Sequence, residues 1–120
     1  MKRQQTGKLA ECLAREYLEK ENYIIKATNW RCRESEIDII AQKDSETVFV
    51  EVRAKSSKEF GTPAESITRR KQEKLIAAAD RYMSEAIDPT PDWRIDFIGI
   101  EFTAGGNKLE HIPNAISAIE

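Results

Sequence analysis

The stretch "EIDIIAQKDSETVFVEVRAK", residues 36–55, decides how this chain is read. Apolar residues alternate with Glu36, Asp38, Glu51, Arg53 and Lys55 on either side of a polar centre. A period of two is the mark of strands, not of a helix. "KDSE", 43–46, suits a hairpin loop, so the flanking segments read as two antiparallel strands. With that loop Gln42 faces Thr47. Counting outward, Asp38 faces Glu51 and Glu36 faces Arg53. Strand parity puts Glu36 and Asp38 on one face, with Ile37 and Ile39 on the other. On the second strand Phe49, Glu51, Arg53 and Lys55 share a face, and Val48, Val50 and Val52 share the opposite one.

Directly opposed side chains have Cβ atoms about 5 Å apart. Two carboxylates at that distance repel by roughly 1 kcal/mol in water, and by several times that in a half-buried cleft. A shared proton, a basic neighbour or a metal ion must offset the repulsion. If Glu36 occupies Arg53, Asp38 and Glu51 are left to hold a hard divalent cation such as Mg²⁺, which takes carboxylate, water and phosphate oxygens. An ion-pair lattice on a solvated sheet face, with Arg53 and Lys55 neutralising the three acids, accounts for the same spacing.

Working outward, residues 5–21 place Leu9, Ala10, Cys12, Leu13, Ala14 and Tyr17 at helical spacing, with Asn22 as terminator. "YIIKATNW", 23–30, reads as a short strand. "SSKEFGTPAESI" is a loop with room for one helical turn. Thr68 is a suitable N-cap for a long helix with a stripe of Leu75, Ile76, Ala78, Ala79, Tyr82 and Met83. The prolines of "DPTPD", 88–92, stop it. "WRIDFIGIEF", 93–102, is apolar on both faces and reads as a covered strand. "KLEHI" follows a glycine turn as an edge strand. Helix, three strands, helix, two strands predicts an α/β domain with a mixed central sheet and flanking helices.

The 120 residues suit one domain, residues 1–120 with a core over about 6–112. At 40% apolar and 33% charged the composition is globular. The basic opening "MKRQQTGKLAE" lacks the apolar centre of a secretory signal, and no run approaches the roughly 18 apolar residues of a membrane span. Cys12 and Cys32 form no CxxC and His111 is the lone histidine, so a zinc site is not expected. The expectation is reduced thiols and a cytoplasmic location. Net charge is −2, yet residues 1–74 carry an excess of bases and residues 75–120 an excess of acids. The first two thirds can therefore offer a basic surface; scatter over an ordinary soluble surface gives the same tally. Arg69, Arg70, Lys71 and Lys74 crowd the start of the long helix, where positive charge is disfavoured. Phosphate contact is one demand that would put them there and solubility another. Arg31 and Arg33 can join that surface. Trp30 and Trp93 read as core or rim, and Asp96 as a structural acid needing a partner.

An acid followed on the next strand by Glu-x-Lys is the core of the PD-(D/E)xK nuclease superfamily, and here Asp38 and Glu51-Val52-Arg53 resemble it. The whole chain more closely resembles the YraN family of uncharacterised bacterial proteins, which are similar to archaeal Holliday junction resolvases. "TGKLAECLAREYL" resembles the family's G-x-x-G-E-x-x-A-x-x-Y-L, and "NWRCRESEIDII" its N-x-R-x-x-x-G-E-I-D-L-I. "VFVEVRAKSSKEFG" with "KQEKL", and "WRIDFIGI", follow in family order. The resemblance implies a restriction-endonuclease-like fold and a nuclease that uses Mg²⁺ or Mn²⁺ on DNA, including branched DNA. It implies that Asp38, Glu51 and Glu11 hold the metal, that Arg53 or Lys55 stands for the usual lysine, and that Gln72 orients the site. Ala10 and Ser35 replace family glycines. Arg53 is the larger departure, because arginine stays protonated and cannot act as a general base. A DNA-binding module with lost or very weak catalysis is the alternative. Junction cleavage would favour a two-fold homodimer.

Overall fold

A computed structural model describes residues 3–56 and 67–116. The loop with its expected helical turn, including the Phe60-Gly61 piece of the family pattern, lies outside the described residues except at its ends. The elements are α1 (Arg3–Lys20), β1 (Ile24–Arg31), β2 (Glu36–Lys43), β3 (Glu46–Ser56), α2 (Arg69–Glu85), β4 (Asp92–Thr103) and β5 (Gly106–Ile116). This is the predicted order. The five strands lie in sequence order across one sheet, antiparallel except for the parallel β3–β4 pair, so the sheet is mixed as expected.

The two helices cover opposite faces. Ala10, Ala14 and Leu18 of α1 pack on Ile39, Ala41, Val48, Val50, Ile98 and Ile100. Leu75, Ala78 and Ala79 of α2 pack on Ile37, Ile40, Phe49, Ile95 and Phe97. The valine face of β3 thus meets α1 and Phe49 meets α2, as parity predicts. The buried stripe of α1 is turned from the expected one. Leu9 and Cys12 are exposed and Leu18 is fully buried, because the two small alanines are what let the helix lie close to the sheet. Trp30 and Trp93 pack edge-on against Tyr82 and Phe49, which settles both as packing residues.

The ends of the elements follow the local chemistry. Asn22 takes φ 69° and Tyr23 N donates back to Leu18 O at 2.9 Å, a left-handed helix stop. Thr68 caps α2, its hydroxyl accepting from Lys71 N at 3.1 Å. The hairpin loop is tighter than expected. Lys43 pairs with Glu46, leaving Asp44 (φ 54°) and Ser45 to turn the chain, a geometry that asparagine-like side chains tolerate. Gln42 still faces Thr47, so the register stands.

A candidate two-carboxylate site

The site lies where β2 and β3 part. Their ladder runs from Lys43–Glu46 to Ile39–Val50 and ends there. Alternation also breaks at this point. Ile37 packs under α2 while Ile39 packs under α1, so the two do not share a face as strict parity would require. On the neighbouring strand Asn29 sits at φ 51°, an irregularity at the same level. Parting strands leave Val52 N without a ladder partner, and the Asp38 carboxylate supplies one, Oδ2 accepting at 2.8 Å. That bond pins Asp38 beside Glu51, and the two carboxyl groups are hydrogen-bonded to each other. The expected Asp38–Glu51 pair is therefore present.

Glu51 is 4% exposed. Burial first, and then the charge of Asp38, push its pKa up to about 7, against smaller opposing effects of Arg53 and Lys71. Burial likewise raises Asp38, opposed by the Val52 N–H and by Glu51, with Glu36 adding to the rise and Lys71 opposing it. Two groups so placed share a proton near neutral pH and titrate as a pair.

The expected Glu36–Arg53 pairing is not formed. Glu36 meets Arg31 at 3.4 Å, while Arg53 Nη2 lies 2.9 Å from Glu51 Oε2. With the ladder ended, nothing aligns residues 36 and 53. Arg53 turns instead to the acid two positions back on its own strand face. Its Nε is buried with no hydrogen-bond partner among the described residues. A lysine charge that reaches both carboxylates comes from Lys71, whose Nζ donates to Ser35 Oγ at 3.2 Å. From the sequence alone Lys71 belongs only to a general basic surface. Its position at the first turn of a Thr-capped helix facing the β2 entry was the available signal.

Glu11, half-buried on α1, faces Asp38 across a groove, and its pKa is raised by burial and by the Asp38 charge, against a smaller opposing effect of the Asn29 side chain. Among the described residues no three His, Cys, Asp or Glu side chains gather closely enough to hold a metal together. The donor set is a carboxylate pair with Glu11 nearby. Gln72 donates its amide to Ile67 O at 3.3 Å, tying α2 to its lead-in. Lys55 is half-buried, and Arg33, Arg69, Arg70 and Lys74 are exposed. Arg69 meets Glu73 at 3.7 Å.

A second buried acid is distinct from this site. Asp96, fully buried on β4, accepts from Arg94 Nε at 2.9 Å and Asn114 N at 2.8 Å and meets His111 Nε2 at 2.7 Å. His111 Nδ1 in turn meets Tyr17 OH at 2.9 Å. These partners hold the Asp96 pKa below the usual carboxylate value despite burial, and they bear out its structural reading.

A mixed five-stranded sheet between two helices, with acids at the point where two strands part, is a restriction-endonuclease-like α/β domain. The model of Uncharacterised protein family UPF0102 matches residues 10–100, and the chain belongs to that family, the YraN family of the sequence resemblance. A UPF0102 protein of Dehalococcoides mccartyi is 41% identical over 95% of this chain and 94% of its own length. Another from Roseiflexus castenholzii is 40% identical over 96% and 95%. One from Flavobacterium johnsoniae is 38% identical over 91% of each. No helix among the described residues is long and apolar enough to cross a membrane.

Proposed function

We propose that this protein is a metal-dependent endonuclease that hydrolyses phosphodiester bonds in DNA, branched DNA included. One observation carries the reading: the buried Glu51 carboxylate and the half-buried Asp38 carboxylate lie side by side, at a cost in desolvation and repulsion that packing alone does not require. Paired carboxylate oxygens fit Mg²⁺ or Mn²⁺, which bind through one or two carboxylates and keep open positions for water and phosphate. Asp38 and Glu51 would hold the ion, with Glu11 facing Asp38 across the groove. When bound, such an ion activates water and screens charge on phosphorus.

The protein's own groups supply the rest. Arg53 presents a permanent cation beside Glu51. It stabilises developing charge but takes no proton. Lys71, within electrostatic reach of both acids, is better placed than a remote surface lysine to position the phosphate. Arg31, Arg33, Arg69, Arg70 and Lys74 extend the basic approach. A homodimer would present two such centres to a junction, and the reading assigns the protein to the cytoplasm.

The test incubates the protein with junction, flap and linear DNA in Mg²⁺ or Mn²⁺, beside Asp38→Asn. Cleavage by the native chain and none by the variant is expected; equal cleavage by both rules out this centre. A second reading, a DNA-binding module without catalysis, is favoured by the Arg53–Glu51 pair, in which arginine already neutralises one carboxylate. Thermal denaturation separates the two. A bound ion raises the midpoint, and Asp38→Asn abolishes the rise.

A further inference from the structure

The groove that opens on Asp38 has a shape and lining that its carboxylates do not explain. It encloses about 250 Å³ between α1 and the β1–β2 pair. One wall is a single stripe of α1, at helical spacing, carrying Lys8, Glu11, Cys12 and Arg15. Lys8 and Arg15 are exposed and stand two turns apart, about 10 Å along the axis. The floor offers the hydroxyl of Thr28 and the carboxamide of Asn29, whose left-handed backbone sets it off the regular strand. Asp38 closes the inner end.

Resting on the DNA-cleaving reading above, we propose that this groove is a subsite for one unpaired nucleotide next to the bond to be cut, so that the preferred DNA carries a single-stranded segment. The volume falls below the usual range for drug-sized ligands, and a stacked base pair has no room in it. One nucleotide taken out of the stack fits, as in enzymes that work on extruded bases. Thr28 and Asn29 both donate and accept, which suits the edge of a base released from its partner. Lys8 and Arg15 at the two ends of the wall meet the phosphates on either side of that nucleotide. This basic stripe lies across the sheet from the cations of α2, so the strand is held on both sides of the carboxylate pair.

Cys12 on the groove wall is exposed and unbridged, and it reports occupancy without any cleavage. The native protein, in EDTA, is saturated with a short single-stranded oligonucleotide, a blunt duplex of equal length or heparin, with binding followed by anisotropy. Iodoacetamide labelling of Cys12 and, as internal control, Cys32 is then read by peptide mass spectrometry. Single-stranded DNA is expected to slow Cys12 labelling roughly fivefold or more relative to blunt duplex, the scale of one base contact. Lys8→Gln with Arg15→Gln brings the two DNAs towards equal protection. Equal protection of the native chain by blunt duplex or heparin overturns the subsite while leaving the DNA reading intact. Failure of every DNA to bind overturns both.

Discussion

Asp38 answers two demands with one side chain. Its Oδ2 completes the backbone bonding that the parting strands leave open, and its carboxyl group meets Glu51. Asparagine can do both, its amide oxygen accepting from Val52 N and its amide nitrogen donating to Glu51. Asp38→Asn is therefore expected to stabilise the metal-free protein at pH 8, by about 1–2 kcal/mol, while removing cleavage. Chemical denaturation checks the first half, and a loss of stability counts against the strained pair. The pH dependence has a definite sign. Glu51 binds its proton more tightly folded than unfolded, so between about pH 4.5 and pH 7 the native state holds more protons. Stability should fall as pH rises through that window, by on the order of 2 kcal/mol, and the fall should shrink in Asp38→Asn. Asp96 acts oppositely and lower. Its pKa is depressed, so its stabilisation is present above the ordinary aspartate range and is lost as pH drops through the depressed value.

At the scale of elements, the first turn of α2 is the part that must hold still. Thr68 caps it, Gln72 ties it to Ile67, and Lys71 reaches Ser35 and the carboxylates from it. Further along the same helix, Arg81 meets Glu34 through Nε at 2.6 Å and Nη2 at 2.8 Å, locking α2 to the β1–β2 connection. Thr68→Ala should cost about 1 kcal/mol of stability. Fraying that turn also withdraws the Lys71 charge, so the midpoint of the pH-dependent loss should move upward. An unchanged midpoint in the variant would mean that Lys71 does not depend on the cap.

For the whole molecule, net charge of −2 means that DNA affinity must come from local placement of cations. Lys8 and Arg15 on α1, and Arg69, Arg70, Lys71 and Lys74 on α2, flank the acidic centre on opposite sides of the sheet. Binding through three or four phosphate contacts should weaken about 40- to 150-fold between 50 and 200 mM salt. A flat salt response in a titration would remove phosphate contact from the account.

The sequence by itself determined the order of elements, because the period of two over 36–55, the Thr68 cap and the prolines after α2 are local signals that local physics obeys. It also put Asp38 and Glu51 within reach of each other, since the register of Gln42 with Thr47 survives a shorter turn; past the end of the ladder it is the bond from Val52 N to Asp38 that completes the meeting. The tertiary structure decided what pattern cannot carry past an irregularity. Once the ladder stops at Ile39 and Val50, parity no longer says where residues 36–38 and 51–53 point, and Arg53 took Glu51 in place of Glu36. Packing of α1 through Ala10 and Ala14 turned Lys8, Glu11 and Arg15 towards Asp38, and docking of α2 brought in Lys71. Each of these joins residues from different elements, and only the packing of helices on the two faces of one sheet brings them to the same point.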